Sequence, residues 1–292
     1  MLWTGGIISR IRQHRKRDSP MPELPEIETY VRALRPKLIG RAFTGVHVLW
    51  GRTINRPSRV AFKRKIPGLR IFALHRRAKY FVFELGTSSP PPTHYLLVHL
   101  KMTGQLDVVP RKRTIDNHDH VIFDLDDGRQ LRFNDTRKFG RMYLVADPEE
   151  VTGPLGPEPL EQSFTLSAFK RLLAARSGRL KPLLLDQTFI AGLGNIYADE
   201  ALWRARLHPL RRADSLTEEE IRMLYRGIRR ALRDGIQHNG ASFDWVFRSG
   251  AYEFRVYDRE GQPCRRCWRP IRRIVVGQRS AHYCARCQSL NG

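Results

Sequence analysis

The segment Met21-Pro22-Glu23-Leu24-Pro25-Glu26 places a proline and two carboxylates within six residues. A proline that follows a methionine becomes the chain terminus when the methionine is trimmed. An α-amine has a pKa of about 7.7–8.0, so much of it is neutral and nucleophilic near pH 7. A free Pro22 amine beside the Glu23 carboxylate is therefore suited to Schiff-base chemistry on a sugar carbon, with Glu23 as the acid/base group.

The same segment also fits the start of an amphipathic helix. Pro25 stands where the first turn would be, and apolar residues follow at helical spacing. These apolar residues are Ile27, Tyr30, Val31, Leu34 and Leu38. The two interpretations are compatible, because a helix can begin directly after a reactive terminus.

Four cysteines form two C-x-x-C pairs near the C-terminus, Cys264 with Cys267 and Cys284 with Cys287. The 16 residues between the pairs are a spacing typical of a four-thiolate zinc site. Four thiolates leave no open position for water, so we predict one structural zinc ion. Two disulfides or four free thiols are the alternatives.

The charge balance favours an anionic partner. The 292 residues include 52 Lys+Arg and 29 Asp+Glu, a formal net charge of +23. Such an excess disfavours a compact chain unless an anion binds it, and the arginine guanidinium matches phosphate geometry. We therefore expect a nucleic-acid partner. No apolar run is long enough to cross a bilayer, so no membrane partner is expected.

The first 20 residues contain five Lys or Arg residues and lack the apolar stretch of a secretory signal. They could be a basic arm, a transit peptide or upstream sequence that is never translated. We favour the last interpretation, because Met21 opens a better-organised chain. We accordingly predict that an extension over residues 1–21 is absent from the mature protein, which frees Pro22.

Short β-rich runs follow the first helix and predict an antiparallel sandwich or barrel over residues 22–150. The runs cover 43–49, 69–75, 79–85, 94–100, 120–125, 130–134 and 141–146. A Pro/Gly-rich stretch at 147–160 then predicts a domain boundary. Residues 151–250 have helical periodicity, and residues 251–292 form a third, cysteine-bearing piece.

Two features of the helical and C-terminal regions have more than one explanation. Gly192-Leu193-Gly194-Asn195 precedes a helix-like segment, whose free N–H groups could hold a phosphate. A tight interhelical turn explains the same glycines. Arg279 lies at the tip of a hairpin predicted between the cysteine pairs, where it would grip a phosphate or be solvated. Thr217 and Glu220 predict a capping box.

Two predicted strand ends carry apolar residues, Met102 in His-Leu-Lys-Met-Thr-Gly and Phe139 in Asn-Asp-Thr-Arg-Lys-Phe-Gly. Apolar wedges of this kind, together with an arginine such as Arg137, unstack DNA and fill a vacated base position. Packing in the protein core is the alternative.

Together these motifs resemble the formamidopyrimidine-DNA glycosylase family, bacterial glycosylase/AP lyases that remove oxidised purines. The resemblance covers residues 21 to about 290 and depends on ordered motifs at family-like spacing. These are Met-Pro-Glu-Leu-Pro-Glu at 21–26, Arg-Arg-Ala-Lys at 76–79, His-Leu-Lys-Met-Thr-Gly at 99–104, Asp-Thr-Arg-Lys-Phe-Gly at 135–140, Gly-Leu-Gly-Asn-Ile-Tyr-Ala at 192–198, Gly-Gln-Arg at 277–279 and the four cysteines.

The resemblance implies an α+β multidomain fold. It consists of an N-terminal β-sandwich, a helical domain with a helix–two-turn–helix element, and a C-terminal four-cysteine zinc finger. Damaged double-stranded DNA would cross the cleft between them. We expect a monomeric, cytoplasmic, nucleoid-associated bacterial protein of base excision repair.

The resemblance also implies catalytic roles. Pro22 would attack C1′ of the damaged nucleotide, and Glu23 would open the sugar and shuttle protons. Glu26 matches a supporting acid, and Lys79 matches the lysine near the lesion and its phosphate. The base would be displaced and an iminium formed, after which β- and δ-elimination would cut the strand on both sides.

Further residues match DNA contacts of the family. Met102, Arg137 and Phe139 match the trio that fills the gap and probes the opposite strand. Phosphate contacts are implied for His118, Lys181, Asn195 and Arg279, and Arg279 is grouped with the catalytic residues. Zinc would be held by Cys264, Cys267, Cys284 and Cys287.

The sequence departs from the family at two places. The segment 248–254 is shorter than the loop that covers the extruded base in 8-oxoguanine-preferring members, which bears on lesion preference more than on lyase chemistry. Trp268 stands where glycine is common.

Two other functions are compatible with this scaffold, an endonuclease VIII-like glycosylase for oxidised pyrimidines and a non-catalytic damaged-DNA-binding protein. Leu24 and the Met102, Arg137 and Phe139 trio favour the purine enzyme over the first. The presence of both Pro22 and Glu23 favours catalysis over the second.

Overall fold

The computed structural model describes residues 21–241 and 250–290. The helices are α1 (Leu24–Leu38), α2 (Arg59–Lys65), α3 (Glu149–Thr152), α4 (Leu166–Ala174), α5 (Leu180–Leu185), α6 (Asn195–Ala205) and α7 (Glu218–Gln237). The strands are β1 (Phe43–Val48), β2 (Ile54–Arg56), β3 (Arg70–Arg77), β4 (Tyr80–Gly86), β5 (His94–His99), β6 (Gly104–Pro110), β7 (Asp119–Leu125), β8 (Arg129–Asp135), β9 (Arg141–Val145), β10 (Ile271–Val276) and β11 (Arg279–Cys284). Single-turn 3₁₀ helices cover Gly51–Thr53 and Ala213–Ser215. Within these ranges, no helix is both long and apolar enough to cross a membrane.

Two β-sheets form the N-terminal domain. One has the strand order β1-β7-β8-β6 and the other the order β2-β9-β5-β4-β3. One apolar cluster contains residues of both sheets, among them Phe43, Phe123 and Phe133 from the first and Phe81 and Phe83 from the second. Burial of these large aromatic side chains between the sheets stabilises the domain and confirms the predicted β-sandwich.

The sequence prediction missed two of these strands, β2 and β6. β2 has only three residues and pairs in parallel with β9 at the edge of its sheet. β6 begins at Gly104 and ends at Pro110, and both residue types are typical of turns. The sequence predicted only a strand end in the segment that closes with Gly104, whereas Gly104 pairs with Asp135 as the first residue of a full strand.

Helix α1 joins the two main apolar cores. Its stripe of Ile27, Val31 and Leu34 packs in the sandwich, as the periodicity predicts. Its first residue, Leu24, packs instead in the apolar cluster of the helical domain. The N-terminus of α1 therefore lies at the boundary between the two domains.

The helical domain contains α4–α7 around that second core. The predicted capping box of α7 is confirmed, because Thr217 Oγ1 accepts the Glu220 N–H at 3.2 Å and the Glu220 carboxylate accepts the Thr217 N–H at 2.8 Å. Gly235 of α7 permits close packing on α6, since a Cβ there would lie 2.5 Å from Cε1 of Tyr197. Gly192 and Gly194 lie between α5 and α6, so the interhelical turn considered from the sequence is confirmed.

The C-terminal piece is a β10–β11 hairpin. Its two-residue turn has positive φ at Gly277 and Gln278, +55° and +63°, as the twist of antiparallel strands favours. This confirms the hairpin predicted between the two cysteine pairs, with Arg279 directly after the turn. Trp268 also has a positive φ, +64°, a conformation that favours glycine, and its side chain is exposed.

Buried Glu200 of α6 anchors this piece to the helical domain. Its Oε1 accepts the backbone N–H groups of Arg255, Val256 and Tyr257 at 2.9, 3.0 and 3.1 Å. A carboxylate that accepts three backbone donors fixes the chain as it leaves the helical domain.

Candidate active site

The Glu23 carboxylate binds the N-terminus of α6. It accepts N–H groups from Gly194 at 2.8 Å, Ile196 at 2.9 Å and Tyr197 at 3.3 Å. The first N–H groups of a helix have no partner within the helix, and the helix dipole favours a negative charge there. The chain therefore uses its own carboxylate where the sequence analysis considered a phosphate, and these three donors are occupied.

The two glycines in this turn allow the side chains of Glu23 and Leu24 to lie close to the backbone of the turn. A Cβ at Gly194 would lie 2.4 Å from Cδ of Glu23, and a Cβ at Gly192 would lie 2.7 Å from Cδ1 of Leu24. Gly192 also has φ +87°, and its carbonyl accepts the Leu24 N–H at 3.1 Å. A Cβ at Gly194 would displace the Glu23 carboxylate, and a Cβ at Gly192 would displace the Leu24 side chain.

The pKa of Glu23 is raised above its ordinary value. Burial has the largest effect and raises the pKa. Opposing effects come from the Lys79 charge, the Ile196 and Tyr197 N–H groups and the Lys181 charge, which together lower the pKa by less than burial raises it. A carboxyl whose pKa moves towards neutrality is suited to both donating and accepting a proton.

Glu26 is a second buried carboxyl beside the first. It accepts the Tyr197 hydroxyl at 2.7 Å, the Ala241 N–H at 2.8 Å and the Glu23 N–H at 2.9 Å. Burial, followed by the nearby Glu23 charge, raises its pKa to about 7. Tyr197 and Ala241 were missed by the sequence analysis, although Tyr197 lies in the quoted Gly-Leu-Gly-Asn-Ile-Tyr-Ala motif.

Lys79 lies in the field of both carboxylates. Its side chain is buried, and burial lowers its pKa. The charges of Glu23 and Glu26 raise this pKa, whereas those of Arg279 and Lys101 lower it further. The structure thus brings the predicted residues Glu23, Lys79 and Arg279 into one electrostatic neighbourhood. Lys101 has φ +57° and was not predicted.

Pro22 is buried directly before Glu23. Its position at the N-terminus of α1 places its ring nitrogen at the domain boundary. The predicted nucleophile and acid/base group are therefore adjacent in the fold as well as in the sequence.

Two neighbouring loops carry the predicted wedge residues. The Asp135 carboxylate joins them, because it accepts the Thr103 hydroxyl from one loop and the N–H groups of Arg137 and Gly140 from the other, at 3.2 and 2.8 Å. Half-buried Met102 lies in the first loop. Asp135 was not predicted as the residue that holds the loops together.

The second loop presents an aromatic side chain to solvent. Phe139 is 45% exposed, and the guanidinium carbon of Arg137 lies 5.0 Å from the centre of its ring. Phe139 therefore does not pack in the core, the alternative considered from the sequence. Exposed His118 lies beside this loop, and its carbonyl accepts the Asp135 N–H at 2.9 Å.

Lys181 and Asn195 lie between the helical domain and the β10–β11 hairpin. Lys181 is fully buried, and its Nζ lies 2.6 Å from Oδ1 of Asp199 and 2.9 Å from the Asn195 carbonyl. The Asn195 amide donates to Ser280 Oγ at 3.1 Å, next to exposed Arg279. These contacts position the hairpin tip, and the phosphate contacts expected of all three residues stay predictions.

The four cysteines form one cluster. Their Sγ atoms all lie within 4.8 Å of one another, and none of the four is in a disulfide. Sulfur ligands about 2.3 Å from a tetrahedral zinc ion lie about 3.8 Å apart, so the donor set fits zinc. The disulfide alternative is wrong for this arrangement.

Three family models match the chain. They describe the formamidopyrimidine-DNA glycosylase N-terminal domain at residues 21–142, the formamidopyrimidine-DNA glycosylase H2TH domain at 155–245, and the zinc finger found in FPG and IleRS at 261–290. The chain belongs to the formamidopyrimidine-DNA glycosylase family. The predicted fold class is thereby confirmed, including the helix–two-turn–helix domain. Residues 242–249, which include the start of the 248–254 loop, lie outside the described residues.

Similar proteins cover almost the same region. The formamidopyrimidine-DNA glycosylase of Herpetosiphon aurantiacus is 46% identical over 278 residues, 92% of this chain and 100% of that protein. That of Pelotomaculum thermopropionicum is 46% identical over 280 residues, with the same coverage. A crystal structure of Lactococcus lactis Fpg (MutM) with N7-benzyl-Fapy-dG DNA has TM-score 0.85 and 32% identity, and covers 92% of this chain and 100% of its own.

The substitution Gly194→Ala should displace the Glu23 carboxylate, because the new Cβ would occupy its position. We expect the single-turnover rate of formamidopyrimidine excision to fall by about 100-fold, the order associated with a misplacement of about 1 Å. Gly178→Ala is the matched control, since a Cβ at Gly178 has no atom within 4 Å. Equal rates for the two variants would show that Glu23 need not lie at the α6 N-terminus.

The raised pKa of Glu26 predicts a pH-dependent stability. The folded chain holds this proton up to about pH 7, whereas the ordinary pKa is 4.5, so the folded state loses stability as the pH rises between these values. Glu26→Gln cannot ionise and should remove about 2–3 kcal/mol of this loss between about pH 5 and about pH 8.

Denaturant unfolding across this pH range measures the slope, with exposed Glu260→Gln as the control. Parallel pH profiles for wild type and Glu26→Gln would show that Glu26 is not the titrating group.

Proposed function

We propose that the chain is a bifunctional DNA glycosylase/AP lyase that removes oxidised purines through the amine of Pro22. The observation that carries this proposal is the Glu23 carboxylate, which is buried directly after Pro22 and bound by three N–H groups at the N-terminus of α6. Membership of the formamidopyrimidine-DNA glycosylase family supports the substrate class.

The chemistry follows from the two terminal residues. The neutral Pro22 nitrogen attacks C1′, and the damaged base leaves with the electron pair of the glycosidic bond and takes up the proton lost from the Pro22 nitrogen. Glu23 in its protonated form donates to the ring oxygen, which opens the sugar and gives an iminium at Pro22. Because its pKa is raised, the Glu23 carboxyl keeps this proton to a higher pH than an ordinary glutamate. After the transfer, the N–H groups at the N-terminus of α6 stabilise the carboxylate that remains.

Strand cleavage uses the iminium as an electron sink. Loss of the 2′ proton to a base and departure of the 3′ phosphate complete β-elimination. Loss of the 4′ proton to a base and departure of the 5′ phosphate then complete δ-elimination. Hydrolysis of the remaining iminium frees Pro22. Every step needs a secondary amine at Pro22, so we propose that the reactive form begins at this residue, and the family match starting at residue 21 supports that start.

Damaged double-stranded DNA is the proposed partner. The net charge of +23 and the DNA complexes of similar Lactococcus lactis structures support it. Phe139, with Arg137 over its ring, would fill the gap left by the everted base together with Met102. Lys79, Lys181, Asn195, Arg279 and His118 are proposed for the lesion and phosphate contacts.

Zinc is the proposed ligand of the cysteine cluster. Cys264, Cys267, Cys284 and Cys287 would hold one ion, which would have a structural role because four thiolates complete its coordination. The match to a zinc-finger family supports this assignment. The monomeric state, the cytoplasmic, nucleoid-associated location and the domain limits at 22–150, 151–250 and 251–292 stay predictions.

Borohydride reduction tests the proposed nucleophile. We expect a covalent protein–DNA adduct when the form that begins at Met21, with the methionine trimmed, meets DNA containing an abasic site, because reduction fixes the iminium. The 292-residue form is the control, since a peptide bond there acylates Pro22 and should prevent the adduct. Intact DNA binding without an adduct from the shorter form would favour a non-catalytic binding protein.

Lesion preference separates the purine enzyme from its closest rival. One Lactococcus lactis Fpg structure, 32% identical to this chain, contains DNA with an oxidised pyrimidine, so both lesion classes belong in the comparison. We expect faster excision of formamidopyrimidine or 8-oxoguanine than of thymine glycol from matched duplexes. A strong preference for thymine glycol would instead indicate an endonuclease VIII-like enzyme.

A further inference from the structure

Lys79 lies in a two-residue turn between β3 and β4. Arg77 pairs with Tyr80, which leaves Ala78 and Lys79 as the turn. Ala78 has φ +51°, in the left-handed region where such turns usually carry glycine. An L-residue in this region is strained, so surrounding contacts must hold the turn in the conformation that buries Lys79.

The contacts come from the other side of the domain boundary. Glu158 lies after β9 and α3, in the segment that leads into the helical domain. Its Oε1 accepts the Ala78 N–H at 2.5 Å and Nη1 of Arg77 at 3.0 Å, and its Oε2 accepts Nη1 of Arg76 at 2.8 Å. Its side chain is only 9% exposed. One carboxylate thus holds the backbone of the residue before Lys79 and both preceding arginines.

The same segment contacts the loop that holds Glu23. The Gly156 carbonyl accepts Nη2 of Arg77 at 2.9 Å, and the Gly156 N–H donates to the Gln187 carbonyl at 2.8 Å. The Ala191 N–H donates to the Pro157 carbonyl at 3.1 Å. Residues 156–158 therefore lie between the Lys79 turn and the 186–194 loop, whose last residue donates to Glu23.

A salt bridge that merely joined two domains would need only the arginine side chains. The bond from Glu158 to the Ala78 N–H goes further, because it fixes the main chain at the strained residue next to Lys79. Arg76 adds a second restraint, since its Nη1 also donates to the Ala78 carbonyl at 3.1 Å. The Ala78 N–H is thus held by Glu158, and the Ala78 carbonyl is held by Arg76.

We propose that Glu158 is a positioning residue, which holds the Ala78 turn so that Lys79 faces Glu23 when the two domains are docked. This inference rests on the proposed function, because Lys79 is taken as the lysine near the lesion. Glu158 touches neither Lys79 nor the reacting atoms, and acts through the Ala78 peptide groups.

The variant Glu158→Gln removes the carboxylate charge. It also introduces an amide NH₂, a hydrogen-bond donor, opposite the donor groups of Arg76, Arg77 and Ala78. We expect its single-turnover excision rate at saturating DNA to fall by about tenfold, while its affinity for lesion DNA changes by less than about twofold. Glu161→Gln is the matched control, because this exposed acid lies three residues further along the same segment. An unchanged rate in Glu158→Gln, or a rate lowered equally in both variants, would overturn the proposal.

A double-mutant cycle with Lys79→Ala separates positioning from general stability. If Glu158 acts through Lys79, the double variant should have the excision rate of Lys79→Ala alone, within about twofold. If the fold-decrease in the excision rate of the double variant equals the product of the two single-variant decreases, Glu158 does not act through Lys79 and the proposal is contradicted. Should Glu158→Gln fail to fold, Arg77→Gln takes its place in the cycle with the same expectation.

The cycle distinguishes this inference from the proposed function. An active wild type with multiplicative losses removes the inference and leaves the function intact. A wild type that excises no oxidised base from any duplex contradicts the function itself, and the inference with it.

Discussion

The bond between the Glu23 carboxylate and the N-terminus of α6 is the interaction on which the site depends. A buried carboxylate is strongly destabilising unless it is hydrogen-bonded and compensated by charge. Three N–H groups and the helix dipole provide that compensation here. Because Glu23 precedes α1 and α6 belongs to the helical domain, the same contact fixes the start of α1 at the domain boundary.

The electrostatics of the site follow from this placement. Burial raises the pKa of Glu23 and Glu26 and lowers that of Lys79. The Lys79 charge favours the ionised form of Glu23, whereas the Glu23 charge disfavours ionisation of Glu26. Burial and neighbouring charges thus shift the pKa values of three adjacent groups, a pattern that is typical of sites of acid/base chemistry. Pro22 stands directly beside these groups, and the amine of a terminal proline would be poised in the same pH range.

Motif types and spacing predicted the fold class, the capping box of α7, the cysteine cluster and the pairing of Pro22 with Glu23. They did not predict the partner of the α6 N–H groups, because the carboxylate that binds them lies about 170 residues away in the sequence. The same holds for Glu158, 80 residues from Ala78. The burial of Lys181 against Asp199 was not predicted either, because it depends on how α5 and α6 pack.

The most direct test is to locate the site of attachment in the borohydride-reduced adduct. After digestion of the form trimmed to Pro22, tandem mass spectrometry should place the sugar remnant on the nitrogen of Pro22, in the peptide that begins at that residue. A remnant on Lys79 or on any other lysine would contradict the account, because the nucleophile would then be a side chain and the geometry around Glu23 would serve another purpose.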